Sequence, residues 1–93
     1  MVVGTCEVDL YIPESNSLKT KRRVIKGIKD KLRSRFNISV TEINANNLWQ
    51  RASLAMAVVN ENSKAVNQTL QNVLKVVETD SRAQLLDYRI SLL

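Results

Sequence analysis

From residue 2 to residue 12 apolar and polar side chains alternate. Val2, Gly4, Cys6, Val8, Leu10 and Ile12 share one side; Val3, Thr5, Glu7, Asp9 and Tyr11 share the other. A period of two predicts a strand with one buried face. Pro13 ends it and Glu14-Ser15-Asn16 reads as a turn. Ser17 is a suitable N-cap for a helix reaching about Ser34. In that helix Leu18, Ile25, Ile28, Leu32 and Phe36 fall within one sector of the wheel, with Val24 at its edge. Residues 37–45 return to a strand pattern with Ile38 and Val40 inward, and a bulge near Glu42-Ile43 would restore the broken alternation. Asn44-Ala45-Asn46-Asn47 is a turn, since asparagine tolerates the left-handed backbone. A third strand over 48–59 turns Leu54, Met56 and Val58 inward. Asn60-Glu61-Asn62 caps a second helix over 63–78, whose stripe is Val66, Leu70, Val73 and Val77. The closing strand, 83–92, sets Leu86, Tyr88, Ile90 and Leu92 on one face.

The order β-α-β-β-α-β, with a short central hairpin and right-handed crossovers, predicts a ferredoxin-like α+β fold. Two helices would cover one face of a four-stranded antiparallel sheet. Ninety-three residues suffice for one such domain, 1–93. A chain of this size buries somewhat over ~60% of the surface its unfolded form exposes, enough for a modest core.

Charge changes the picture. Nine of the fourteen Lys and Arg residues lie between Lys19 and Arg35, with Asp30 the one acid among them. That segment carries +8 (nine bases against one acid), and the rest carries −3 (five bases against eight acids). A single basic element on a mildly acidic body suggests a surface aimed at an anionic partner, although a solvated Lys/Arg-rich helix would look the same. With Ile25 at the centre of the buried sector, Arg22, Lys26, Lys29 and Arg33 follow one flank at spacings of four, three and four, and Lys19 extends the row by a turn. The row spans roughly 20 Å at about 5.4 Å per turn. Arg23 lies further round the exposed side, and Lys31 and Arg35 take the opposite flank. Lys19 and Lys21 stand in the first turn, where the helix dipole disfavours cations. Together with exposed first-turn N–H groups they would form a phosphate seat. Lys21 falls inside the apolar sector, so its stem either packs while its ammonium snorkels, or is fixed beside the anion seat.

The remaining composition removes options. The chain has no histidine and one cysteine. The usual general base, the commonest metal ligand and every Ser-His-Asp or Cys-His arrangement are therefore absent. Cys6 falls on the apolar strand face and reads as a core residue, and no zinc-ligand set exists. The expectation is a non-enzyme with no cofactor. No apolar run approaches a membrane span, and the first residues read as a strand instead of a signal peptide. A single cysteine fits a reducing cytoplasm. With only Gly4 and Gly27 there is no phosphate-cradling glycine loop.

An RNA-recognition motif stacks bases on aromatics of its central strands. The outward positions here include Thr5, Glu7, Asp9, Ser53, Ala55 and Ala57, with Tyr11 the one aromatic. RNA contact would therefore use the helix flank and read the backbone. Trp49 opens the third strand beside Gln50 and Arg51; it is either a hairpin-end packing residue or an interface or base-stacking anchor, and in the latter case Arg51 joins it as a candidate interface residue.

Ser17-Leu18-Lys19-x-Lys21-Arg22-Arg23-Val24, then Leu32-Arg33-x-Arg35-Phe36-Asn37-x-Ser39-Val40-x-Glu42, then Leu48-Trp49-Gln50-Arg51-Ala52 resemble the bacterial YlxP-like family, and the similarity runs from end to end. The resemblance implies a ferredoxin-like fold, a bacterial cytoplasmic protein and, from the company its genes keep, an RNA or ribosome connection. It carries no catalytic residues. Thr20 departs from the glutamate of that pattern, which removes a capping-box partner for Ser17 and leaves the helix start more positive.

The leading expectation is an RNA-binding or ribosome-associated accessory protein using Lys19, Lys21, Arg22, Arg23, Lys26, Lys29 and Arg33. The alternative is a protein-interaction module, itself a candidate homodimer, whose basic helix docks an acidic partner while the Trp49 region supplies an apolar anchor. A small-ligand sensor on a dimeric scaffold is a third.

Overall fold

A computed structural model describes residues 1–93. The elements are β1 (Val2–Tyr11), α1 (Leu18–Arg35), β2 (Ser39–Ile43), β3 (Arg51–Asn60), α2 (Ser63–Glu78) and β4 (Gln84–Leu92). The four strands form one sheet in the order β2-β3-β1-β4, and every neighbouring pair is antiparallel. This is the ferredoxin-like arrangement, with β1 central and β2 and β4 at the edges.

The alternation in β1 is realised in full. Cys6, Val8, Leu10 and Ile12 are completely buried beneath the helices, and Val8 lies between Leu54 of β3 and Tyr88 of β4. Leu54, Met56 and Val58 supply the β3 side of the core, with Ala52 added. Ile25, Ile28 and Leu32 come down from α1, and Val66, Leu70, Val73, Leu74 and Val77 from α2. Gly4 allows α2 to approach β1 closely, because a Cβ there would collide with Val66 and Leu70.

Ser17 caps α1, its Oγ accepting from the Thr20 N–H at 3.1 Å. The Thr20 hydroxyl ties the cap to the preceding turn: its Oγ1 accepts from Ser17 Oγ at 3.0 Å and donates to Asn16 Oδ1 at 3.3 Å. Asn62 caps α2 by accepting from the N–H groups of Lys64 and Ala65. Asn44 takes the left-handed backbone at φ 52° where β2 turns away.

Three sequence expectations are corrected. The bulge lies between β1 and β4 at Asp9/Leu10, and β2 pairs with β3 without interruption. Glu42 therefore keeps the inward phase and Ile43 joins the open face opposite Ser53. The bulge changes the phase of β4, so Leu85, not Leu86, stands opposite Leu10 and packs against the core. Finally, β3 begins at Arg51, leaving Leu48 and Trp49 in the loop.

Candidate nucleic-acid interface

The apolar sector of α1 fixes how the helix lies, and hence where its charge points. Arg33 Nη2 donates to the Val40 carbonyl of β2 at 2.9 Å, and Arg22 shares a small cleft with Glu42. The flank Lys19-Arg22-Lys26-Lys29-Arg33 thus runs along the β2 edge of the molecule.

Its cations are unequal. Lys19, Arg22 and Arg23 are exposed and make no salt bridge, and Lys29 is half-buried with none. Asp30 is shared by Lys26, at 2.7 Å, and Arg33, at 3.7 Å. The hydrogen bond from Lys26, with Arg33 and Lys29 nearby, holds the Asp30 carboxyl below its ordinary pKa. The flank of five cations and one acid keeps a net +4. At the helix start Ser17 serves the Thr20 N–H, and the Leu18 and Lys19 N–H groups have no partner within the chain.

Lys21 leaves the proposed set. It is 4% exposed, and its ammonium is held by the loop between β2 and β3. Nζ donates to Leu48 O at 2.7 Å, to Asn46 Oδ1 at 3.0 Å and to Asn46 O at 3.2 Å. Three acceptors satisfy all three ammonium protons, so no donor remains for a phosphate. Neither reading of Lys21 from the sequence foresaw this clasp, because its acceptors lie 25 and 27 residues downstream.

The clasp shapes the loop that carries Trp49. Asn46 Oδ1 also accepts from the Leu48 N–H at 2.9 Å, and Gln50 Nε2 donates to Pro13 O and Ser15 O across the sheet end. On this framework Trp49 is 54% exposed and Leu48 59%. Trp49 and Arg51 line a shallow recess of about 470 Å³ with Asn47, Leu48 and Gln50. Arg51 itself lies on the open sheet face opposite Tyr11.

On the opposite flank of α1, Lys31 is tied into the fold, while Arg35 is exposed. Asp80, buried at the end of α2, accepts from Arg82 Nη2 at 2.7 Å and Nε at 2.9 Å, and from Lys31 Nζ at 3.1 Å. The Arg82 bonds first, opposed by burial and reinforced by Lys31, hold its carboxyl far below the usual range. The guanidinium of Arg82 lies over Gly27, where any Cβ would collide with it. The sequence carries one hint of this network: a glycine in mid-helix, which costs stability unless something approaches closely.

The open sheet face holds a depression of about 360 Å³, floored by Ala55 and Ala57 and bordered by Thr5, Glu7, Thr41 and Arg89. Arg89 contacts Glu7 at 3.2 Å, Asp9 at 3.4 Å and Asp87 at 3.5 Å. The Ser53 hydroxyl donates to Asp9 at 2.7 Å and, with Arg89, lowers the carboxyl pKa of Asp9. The acids of this face are thus tied to one guanidinium.

Fold and site together define a small ferredoxin-like α+β protein whose charge is gathered on one helix flank. The chain belongs to the YlxP-like family: the family described as "Protein of unknown function (DUF503)" matches residues 3–90. It is 33% identical over 78 residues to "Uncharacterized protein YlxP" of Bacillus subtilis (strain 168), covering 84% of this chain and 85% of that protein. Among solved structures the fold is shared with the de novo designed protein Foldit4, at TM-score 0.55 and 11% identity over 100% of this chain and 97% of that one. It is shared also with the de novo designed protein LFR1 1 with ferredoxin fold, at TM-score 0.50 and 13% identity over 97% and 85%. At such identities these two neighbours speak for the fold alone.

Proposed function

We propose that this chain is a cytoplasmic RNA-binding accessory protein of the ribosome or its RNA, holding phosphates along one flank of α1. One observation carries the reading: Lys19, Arg22 and Arg23 are exposed without a salt bridge, Lys26 (paired with Asp30) and half-buried Lys29 continue the same row, and the acids of the open sheet face are bound to Arg89. Phosphate contacts of this kind position a protein without reading sequence. The sheet face offers small and charged side chains where base stacking would need aromatics.

With a net +4 on the flank, log K should fall against log salt with a slope of roughly −2.8 to −3.6. The test is RNA binding by the triple variant Arg22→Glu, Lys26→Glu, Lys29→Glu, with far-UV circular dichroism as the folding control. Loss of binding and of its salt dependence is expected. Unchanged, salt-insensitive affinity in the folded variant would overturn the reading. The exposed Leu48 and Trp49 favour a second reading, a protein-interaction module that anchors a partner at this loop and meets its acidic side with α1. Partners captured equally before and after RNase treatment would favour that second reading.

A further inference from the structure

The two sheet edges are protected very differently. At the β2 edge the strand has five residues, and Arg33 covers the Val40 carbonyl. At the β4 edge there are nine residues with no lysine or proline, and the side chains of Tyr88 and Leu92 stand 47% and 49% exposed on the helix-facing side. Long apolar edges of this kind are templates for another strand.

Hydrogen-bond phase shows which groups are free. The Leu93 N–H donates to Val3 O at 2.7 Å, so Leu93 faces β1. By the alternation of an antiparallel ladder, Tyr88, Ile90 and Leu92 turn their N–H and C=O groups to the open side. The β1–β3 side agrees, since the Ile12 N–H donates to Gln50 O and gives the even positions of β1 to β3. An independent sign is that the Tyr88 N–H takes the side chain of Asp87, at 2.8 Å, as its acceptor.

The geometry points to a second copy of this chain as the partner of that edge, with β4 pairing antiparallel to β4 about a two-fold axis at Ile90. In this register Tyr88 stands opposite the second copy's Leu92, Ile90 opposite its own equivalent, and Leu92 opposite Tyr88. Each pair exchanges both N–H···O bonds. The half-exposed apolar side chains cover one another on the helix side. On the open face Arg89 meets Ser91.

Charge and geometry select this arrangement. A two-fold at Arg89 would set two guanidiniums face to face, and one at Asp87 two carboxylates. A two-fold at Tyr88 would draw the bulged Leu86 and the residues before it into the ladder. Pairing through β2 would bring two +8 helices side by side, whereas pairing through β4 puts them at opposite ends of an eight-stranded sheet. Arg89 is already neutralised by Glu7, Asp9 and Asp87 and adds no free charge at the axis. Asp87 gives up the Tyr88 N–H to the carbonyl of the second copy's Leu92.

Sedimentation equilibrium of the full chain, with hydrogen exchange, tests the assembly. The expected mass is twice 10.5 kDa, with the amides of Tyr88, Ile90 and Leu92 slowed as the dimer forms. The double variant Tyr88→Lys, Leu92→Lys should fall to the single-chain mass while keeping its circular dichroism. Both positions are half-exposed, so folding should survive. A single-chain mass for the wild type at high concentration would overturn the proposal. So would a dimer that persists in the folded double variant, or a wild-type dimer in which those three amides exchange freely.

Discussion

Replacing Lys21 by Met keeps the length of the side chain but removes the ammonium that clasps the 44–50 loop. Three hydrogen bonds are lost, at 2.7, 3.0 and 3.2 Å. Charge-assisted bonds contribute about 1.5–3 kcal/mol each, so their combined gain is on the order of 5–9 kcal/mol. Against this stands the desolvation of a buried ammonium, which costs several kcal/mol and is recovered on substitution. The orphaned acceptors are only partly stranded: Asn46 Oδ1 keeps the Leu48 N–H, and the loop is open to water. The net loss should be about 2–3 kcal/mol. At about 4–8 °C per kcal/mol for a domain of this size, Tm should drop by roughly 10–20 °C. Trp49 is the single tryptophan and lies in the clasped loop, so its fluorescence anisotropy reports the release locally and should fall. A Tm within about 3 °C of the wild type, with unchanged anisotropy, would refute the view that the clasp organises the loop. A more stable variant would show that desolvation outweighs the three bonds.

Asp80→Asn should destabilise the chain by about 2–3 kcal/mol, because Arg82 and Lys31 lose a carboxylate but can rehydrate their exposed sides. The native carboxyl titrates below its unfolded value, so its contribution is complete above about pH 4–5 and is lost as pH falls toward the native pKa. Thermal melts of wild type and variant should therefore differ by a constant amount near neutrality and converge in acid; a difference independent of pH down to pH 2 would contradict the assignment. Cys6 is completely buried, and burial pushes its thiol up to about 11. At pH 8 only roughly one thiol in a thousand is then ionised. Alkylation of the native chain should track unfolding, and labelling at the speed of a free thiol would show that β1 is not packed as described.

The sequence conveys the architecture well because its strongest signals are periodic. The β1 alternation and the α2 stripe state which faces are buried, and one buried sheet face with two helices leaves few topologies. What it conceals depends on residues far apart. Lys21 looks like a misplaced surface cation until the loop carbonyls of Asn46 and Leu48 arrive beneath the helix. Lys31 looks like part of a basic flank until Asp80 meets it from the end of α2. The β4 bulge is silent locally, since Leu85-Leu86 offers two equivalent side chains and only pairing with Leu10 chooses between them. Of the seven proposed nucleic-acid contacts, Lys21 is committed to the fold, while Lys26 and Arg33 share Asp30. Lys19, Arg22, Arg23 and Lys29 remain without an acidic partner.

The sheet order has a consequence for how this chain is made. β1 is synthesised first yet lies between β3 and β4, and Cys6 pairs with Ile90 across almost the whole sequence. A nascent chain ending before residue 84 leaves one side of β1 unpaired, with Val8 and Leu10 only partly enclosed. Contacts of such long sequence separation slow folding. Closure of the sheet must therefore await the last strand, and until then the growing chain displays an apolar edge that other nascent chains can meet.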